Sequence, residues 1–203
     1  MYFGHHLSTI EGGFINTNDE DLYHLLLMMR SHGWDRDLPK QKQKQLRDKY
    51  KCDDFNSLYN FYVPGMNLRS TDLQAFIGLR AIDKLDEYSS KRRNNFKQYV
   101  NLINNNLLSL KEEKGDLVSN FSFPILHKKR DDIVKELIHN NIEIRPLIAG
   151  NMGNKPMWYN ENPPPSLPNC ELIDKFGFYI PNHQDLSLEE LKYITSIINS
   201  YNE

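Results

Sequence analysis

The alternation running through residues 120–201 most constrains the fold. NFSFPILH reads as a strand and KRDDIVKELIHNN as a helix. IEIRPLI reads as a second strand, CELIDKFGFYIPNH as a short helix leading into a short strand, and SLEELKYITSIINSY as a closing helix. The closing helix carries its own start signal, Ser187 as N-cap with Glu190 three residues on, the reciprocal capping-box pattern. Strands alternating with helices of this length fit an α/β or α+β layered domain, in which each helix covers a sheet face. The stretch NENPPPSLPN interrupts the series as a stiff, extended loop.

Before residue 110 the pattern is more helical. GGFINTND reads as two glycines, a short strand at Phe14–Asn16 and a helix start capped by Asn18 or Asp19. The following helix places Leu22, Leu25, Leu26 and Met29 at helical spacing, and Gly33 stops it. KQKQKQLRDKYK is a solvated mobile loop or an exposed helix; without interleaved aromatics it does not read as a nucleic-acid surface. Pro64-Gly65 marks a turn. Ser70 or Thr71 then caps a long helix with Leu73, Phe76, Ile77, Ala81, Ile82 and Leu85 on one face, extended by a charged segment to about Asn106.

Composition narrows the function. The 203 residues suffice for one large or two small domains, and 39% hydrophobic content supports a core. A net charge of −2, with both signs mixed along the chain, argues against a nucleic-acid partner. No apolar run is long enough to span a bilayer and the start does not have the build of a signal peptide, so no membrane role is expected. Cys52 and Cys170 form no metal or redox pattern and suit a reducing compartment, giving a cytoplasmic expectation.

The chemically loaded segment is FGHHLSTIEGG. An isolated loop histidine is most simply a hydrogen-bonded structural residue. A neutral imidazole, with an ordinary pKa of about 6.5, is equally suited to moving a proton near neutral pH. His5 and His6 are a poor metal pair, because neighbours on a strand point to opposite faces and no carboxylate or thiolate pattern joins them. No metal is expected.

Four stretches in order, FGHHLSTIEGG followed by TND, RSHGWDRDLP, PGMNLRSTDLQAFIGLRAIDKLD and IEIRPLIAGN, make the chain resemble the pyridoxal-phosphate-dependent sugar aminotransferase/dehydratase family (DegT/DnrJ/EryC1/StrS). Within that family it is most similar to the branch that removes the 3-hydroxyl of nucleotide-linked 4-keto-6-deoxy sugars. The resemblance covers essentially the whole chain, as the second half of a protein about twice as long. It implies the C-terminal half of a fold-type I (aspartate aminotransferase-like) enzyme. Residues 1–85 would be a remnant of the large cofactor-binding domain, and 86–203 a small α+β domain.

Aligning Glu11-Gly12-Gly13 with the family motif puts His5 where the aminotransferases carry their cofactor-anchoring lysine, and the first lysine here is Lys40. An imidazole cannot hold the cofactor aldehyde as a primary amine does. The resemblance therefore implies an untethered cofactor working as pyridoxal phosphate and pyridoxamine phosphate, with glutamate as amino donor and His5 as catalytic and cofactor-binding base. A related branch with an iron–sulfur cluster needs four thiolates, which two cysteines cannot supply. Further implied roles are Asn67 toward the cofactor phosphate, and Arg69, Arg145, His32 and Trp34 toward substrate, with Asn67 and Arg69 reaching the neighbouring subunit's site in a homodimer. Ser8, Thr9 and Glu11 would shape the loop, while His6 and His183 stay open between structural and supporting roles.

In the family the phosphate-binding helix, the ring-stacking aromatic and the aspartate for the ring nitrogen come from the first half, and the serine that usually precedes the motif would fall before Met1. The expectation is a half that needs its N-terminal counterpart or a companion chain and does not turn over substrate alone. The remnant to about residue 85 should be the less stable part. A sugar-nucleotide aminotransferase, or a non-catalytic binding or dimerisation module, are the other readings.

Overall fold

The computed structural model describes residues 4–108, 111–159 and 166–201. It divides into two compact units: Leu7–Ala81, and a second made of Gly4–His6 with Ile82–Glu203. The two units divide between Ala81 and Ile82.

In the first unit, helix α1 (Glu20–Arg30) starts where Asp19 Oδ1 accepts from the backbone N–H groups of Asp21 and Leu22, both at 3.0 Å. Glu20 and Asp21 in its first turn complement the positive end of the helix dipole. Helix α2 (Lys40–Tyr50) is the exposed-helix alternative for the polar KQKQ segment. Its attachment is polar. Gln43 is buried and donates to the Leu38 carbonyl at 2.8 Å, and Arg47 Nε donates to the fully buried Asp35 at 2.9 Å. Helix α3 (Asp72–Ile82) has a capping box: Thr71 N–H donates to Gln74 Oε1 at 2.9 Å and Gln74 N–H to Thr71 Oγ1 at 3.3 Å.

Two expectations fail in this part of the chain. Phe14–Asn16 is irregular and exposed, because a strand requires a hydrogen-bonded neighbour and none is supplied among the described residues. The long helix is two helices, α3 and α4 (Leu85–Leu102), broken at Asp83–Lys84. The apolar face of α3 is not a core face: Leu73, Phe76 and Ile82 are all more than half exposed.

The second unit holds the apolar core. Strand β1 (Ser122–Leu126) pairs antiparallel with β2 (Gly177–Pro181), in the register Phe123 to Ile180 and Ile125 to Phe178. Helices α4, α5 (Arg130–His139) and α8 (Leu188–Asn199) surround this ribbon. Phe96 and Tyr99 from α4, Ile133 and Leu137 from α5, and Leu191, Ile194 and Ile198 from α8 are buried with the inward strand residues. Burial of one such side chain is worth about 1.5–3 kcal/mol. Short helices α6 (Pro156–Tyr159) and α7 (Pro168–Phe176) precede β2, with Pro168 in the first turn of α7, where its missing N–H is harmless. The expected proline-rich loop falls partly at 160–165, outside the described residues.

IEIRPLI is not a strand. Only Arg145 bridges, exchanging hydrogen bonds with Tyr179 (Tyr179 N–H to Arg145 O at 2.8 Å). Pro146 follows at once and has no N–H to continue a ladder. No helix among the described residues is long and apolar enough to cross a membrane.

Candidate functional site

The second unit carries the histidine segment. Arg92 on α4 is buried, and its guanidinium is ringed by neutral oxygens. Nε and Nη2 donate to Gln184 Oε1 at 3.0 and 2.8 Å, Nη1 to the Gly4 carbonyl at 3.3 Å, and Nη2 to the His5 carbonyl at 3.4 Å. Desolvation lowers its pKa, and the charge of Asp185 opposes that shift. His6 Nε2 meets Ser119 Oγ at 2.7 Å. Burial first, and then the Arg92 guanidinium, hold the His6 pKa below its usual value. His6 thus reads as an anchor of the segment.

His5 is exposed, with its ring against Phe121 at 5.4 Å between centroids and 37° between planes. Phe121 in turn meets Tyr179 edge-on at 5.9 Å. Tyr179 is the residue that bridges to Arg145, so a row of contacts runs from His5 through Phe121 and Tyr179 to Arg145. The Arg145 guanidinium contacts Glu143 at 2.6 Å in an exposed pair. His183 lies beside Asp185, 3.3 Å away, and its carbonyl accepts from Asn95, a structural placement.

In the first unit, the end of α1 is built for close approach. His32 and Gly33 follow the helix with φ of 59° and 91°. A Cβ on Gly33 would lie 1.8 Å from the Val63 carbonyl oxygen, and one on Gly65 would lie 2.3 Å from the Gly33 nitrogen. Backbone hydrogen bonds from His32 to Met66, Met66 to Met29 and Leu68 to Arg30 lay the loop after Pro64-Gly65 along this helix end. Asn67 bridges buried Ser31 through its backbone and is itself exposed.

The same helix end gathers His32, Trp34 and Arg69. The His32 ring is edge-on to Trp34 at 4.8 Å, and the Arg69 guanidinium is 5.9 Å from the Trp34 centroid. Arg36 sits closer, 3.8 Å over the Trp34 ring, and Phe61 stacks on Trp34 at 6.1 Å. Arg36 also donates to the Leu58 carbonyl. This aromatic and cationic cluster can hold an anionic, partly aromatic ligand. Arg36 is absent from the sequence expectations, although its place two residues after Trp34 was a usable signal.

The loop after the histidines is tied down within the first unit. Buried Thr9 donates through Oγ1 to the Glu11 carbonyl at 3.0 Å, and Gln74 Nε2 donates to the same carbonyl at 2.9 Å. Gly78 leaves room for the Thr9 methyl, which a Cβ there would meet at 3.1 Å.

The family model described as the DegT/DnrJ/EryC1/StrS aminotransferase family matches residues 2–199. A GDP-4-keto-6-deoxy-D-mannose 3-dehydratase from Yersinia pseudotuberculosis is 34% identical over 207 aligned positions, covering 97% of this chain and 52% of the relative. Its counterpart from Escherichia coli O55:H7 is 32% identical, again over 97% of this chain and 52% of the relative. The E. coli enzyme solved with bound hydrated PLP superposes with a TM-score of 0.79 at 31% identity, covering 97% of this chain and 52% of that structure. The chain spans about half the length of the curated relatives it matches.

Proposed function

The chain belongs to the DegT/DnrJ/EryC1/StrS aminotransferase family, and from that premise we propose that it supplies the C-terminal half of a pyridoxal-phosphate-dependent dehydratase that removes the 3-hydroxyl of GDP-4-keto-6-deoxymannose, in deoxysugar and lipopolysaccharide biosynthesis. Its fold is that of half of a fold-type I enzyme. On this reading residues 1–85 end the large domain and 86–203 form the small one.

The observation that carries the proposal is His5. Its imidazole is exposed and seated on an aromatic ring, in a chain whose first lysine is Lys40. His5 fits a cofactor held without a covalent tether, because it offers a base and no amine; Asn67, separately, offers an exposed amide for a phosphate oxygen. The cofactor, when bound, supplies an electron sink that lets a carbon–oxygen bond break.

With the cofactor bound, His5 would be the residue that accepts the proton lost at C4′ and returns it to the departing 3-hydroxyl, which would leave as water. An imidazole can both accept and return a proton, which suits it to that transfer. Arg145 and Arg69 hold the carboxylate of the amino donor glutamate or the oxygens of the sugar nucleotide, where a planar fork of donors is the best match. His32 and Trp34 line the nucleotide-sugar side. The active assembly is a cytoplasmic homodimer in which Asn67 and Arg69 serve the neighbouring subunit's site.

The test joins this chain with the N-terminal half of the enzyme, with GDP-4-keto-6-deoxymannose, the cofactor and glutamate. Loss of oxygen at sugar carbon 3 is expected, and none with this chain alone. A stable amino sugar would instead identify an aminotransferase and remove the proton-carrier role from His5.

A further inference from the structure

We propose that Arg92 is a positioning residue: its buried guanidinium, braced by Gln184, clamps the Gly4 and His5 carbonyls and thereby sets where the His5 imidazole stands. The functional consequence rests on the reading of His5 given above; the clamp itself does not.

A guanidinium has five N–H donors in a fixed plane and no way to shed its charge. Burying one is costly unless its donors are satisfied. Arg92 makes four such bonds, all to oxygens: two to the side chain of Gln184 on one side, and one to each of two successive backbone carbonyls on the other. The dependence is mutual. The segment Gly4–His6 belongs to neither a helix nor a strand, so Arg92 gives its carbonyls a fixed partner that secondary structure would otherwise provide.

The brace is itself held. The Arg92 carbonyl accepts from Asn182 Nδ2 at 3.1 Å, and Asn182 also donates to the Asn120 carbonyl at 2.7 Å. Asn182 directly follows β2 and Asn120 lies just before β1, so the clamp is referenced to the core ribbon. Gln184 Nε2 reaches His183 Nε2 at 3.2 Å and Asp185 Oδ2 at 3.4 Å, which orients its oxygen toward Arg92. Phe121 lies in the same stretch between Asn120 and β1. The ring on which His5 rests and the clamp on its carbonyl therefore share one rigid frame. The single ammonium of a lysine could not reach Gln184 and both carbonyls together.

The experiment follows the His5 ring in the purified chain by histidine Cε1–H NMR, with His5→Gln to assign the signal. Arg92→Lys and Gln184→Met are each expected to abolish the Phe121 ring-current shift of His5, while the methyl signals of Ile125 and Ile198 stay in place. An unchanged His5 signal in a folded variant overturns the clamp. If Arg92→Lys unfolds the core, Gln184→Met decides: an unchanged His5 signal there overturns the proposal, and a moved one supports it. In the complete enzyme either variant should lower kcat far more than it raises KM. A moved ring with kcat unaltered keeps the clamp and removes the catalytic reading of His5, so the two failures are distinct.

Discussion

Gly33 and Gly65 meet backbone against backbone, so close that a single Cβ on Gly65 would fall 2.3 Å from the Gly33 nitrogen. Gly33 stands at φ 91°, and the same contact presses the loop carrying Asn67 and Arg69 onto the end of α1. Gly65→Ala cannot be absorbed by a side-chain rotation, since its neighbours are backbone atoms. Overpacking of this kind costs about 1–3 kcal/mol. A loss of that size in the first unit, with the β1–β2 unit unaffected in hydrogen exchange, is expected.

Arg47→Met should unfasten α2. Asp35 is fully buried, and Arg47 Nε at 2.9 Å supplies its opposite charge. Removing one partner of such a pair leaves a buried carboxylate uncompensated, at about 3 kcal/mol or more. Denaturant unfolding of the variant, with exchange rates read along residues 40–50, measures the loss.

The acid limb of stability should contain Glu112. Hydrogen bonding from Arg93 first, then from the Val118 N–H and Lys97, lowers its pKa from 4.5 to about 2. A carboxylate held down in the folded state stabilises fully above its unfolded value, and that stabilisation is lost as pH falls through the folded value. The melting temperature of the second unit is therefore expected to fall between pH 4.5 and 2. Glu112→Gln should flatten the curve in that window; an identical pH profile would exclude the assignment.

Ser187→Ala removes one half of a reciprocal cap. Ser187 Oγ accepts from the Glu190 N–H at 3.2 Å and Glu190 Oε2 accepts from the Ser187 N–H at 2.8 Å. The cost should be about 1 kcal/mol, because the side chain alone is lost and water can reach the exposed helix end. Thermal unfolding of the wild type and variant reads it directly.

His5→Ala, in the complete enzyme, should reduce kcat by about 10²–10⁴-fold with little change in KM, the usual contribution of a positioned acid–base group. Borohydride should leave the wild-type protein without a covalent cofactor adduct. A trapped adduct, or undiminished deoxygenation by the variant, would falsify the role given to His5.

Much of the architecture was legible in residue order. Helices α1, α5, α7 and α8 and strands β1 and β2 follow from period and cap, as with Asp19 and Ser187, because those signals act within a few residues of one another. Expectations failed where the outcome depended on a distant partner. Phe14–Asn16 has strand-like residues but no neighbouring strand, and Ile142–Ile148 pairs only at Arg145 before Pro146 ends the ladder. The charged run SSKRRNN concealed Arg92, because one of its two adjacent arginines turns inward and nothing local distinguishes which.

The sequence by itself determined the capped helices, the two paired strands and the family its motifs belong to. Tertiary structure alone decided which charges are buried, that Arg92 grips the His5 carbonyl, and that the Trp34 cluster includes Arg36. The division has a physical cause: caps and periodicity are short-range, whereas burial of a charge is settled by oxygens brought from far along the chain, here from residues 4, 5 and 184 to residue 92.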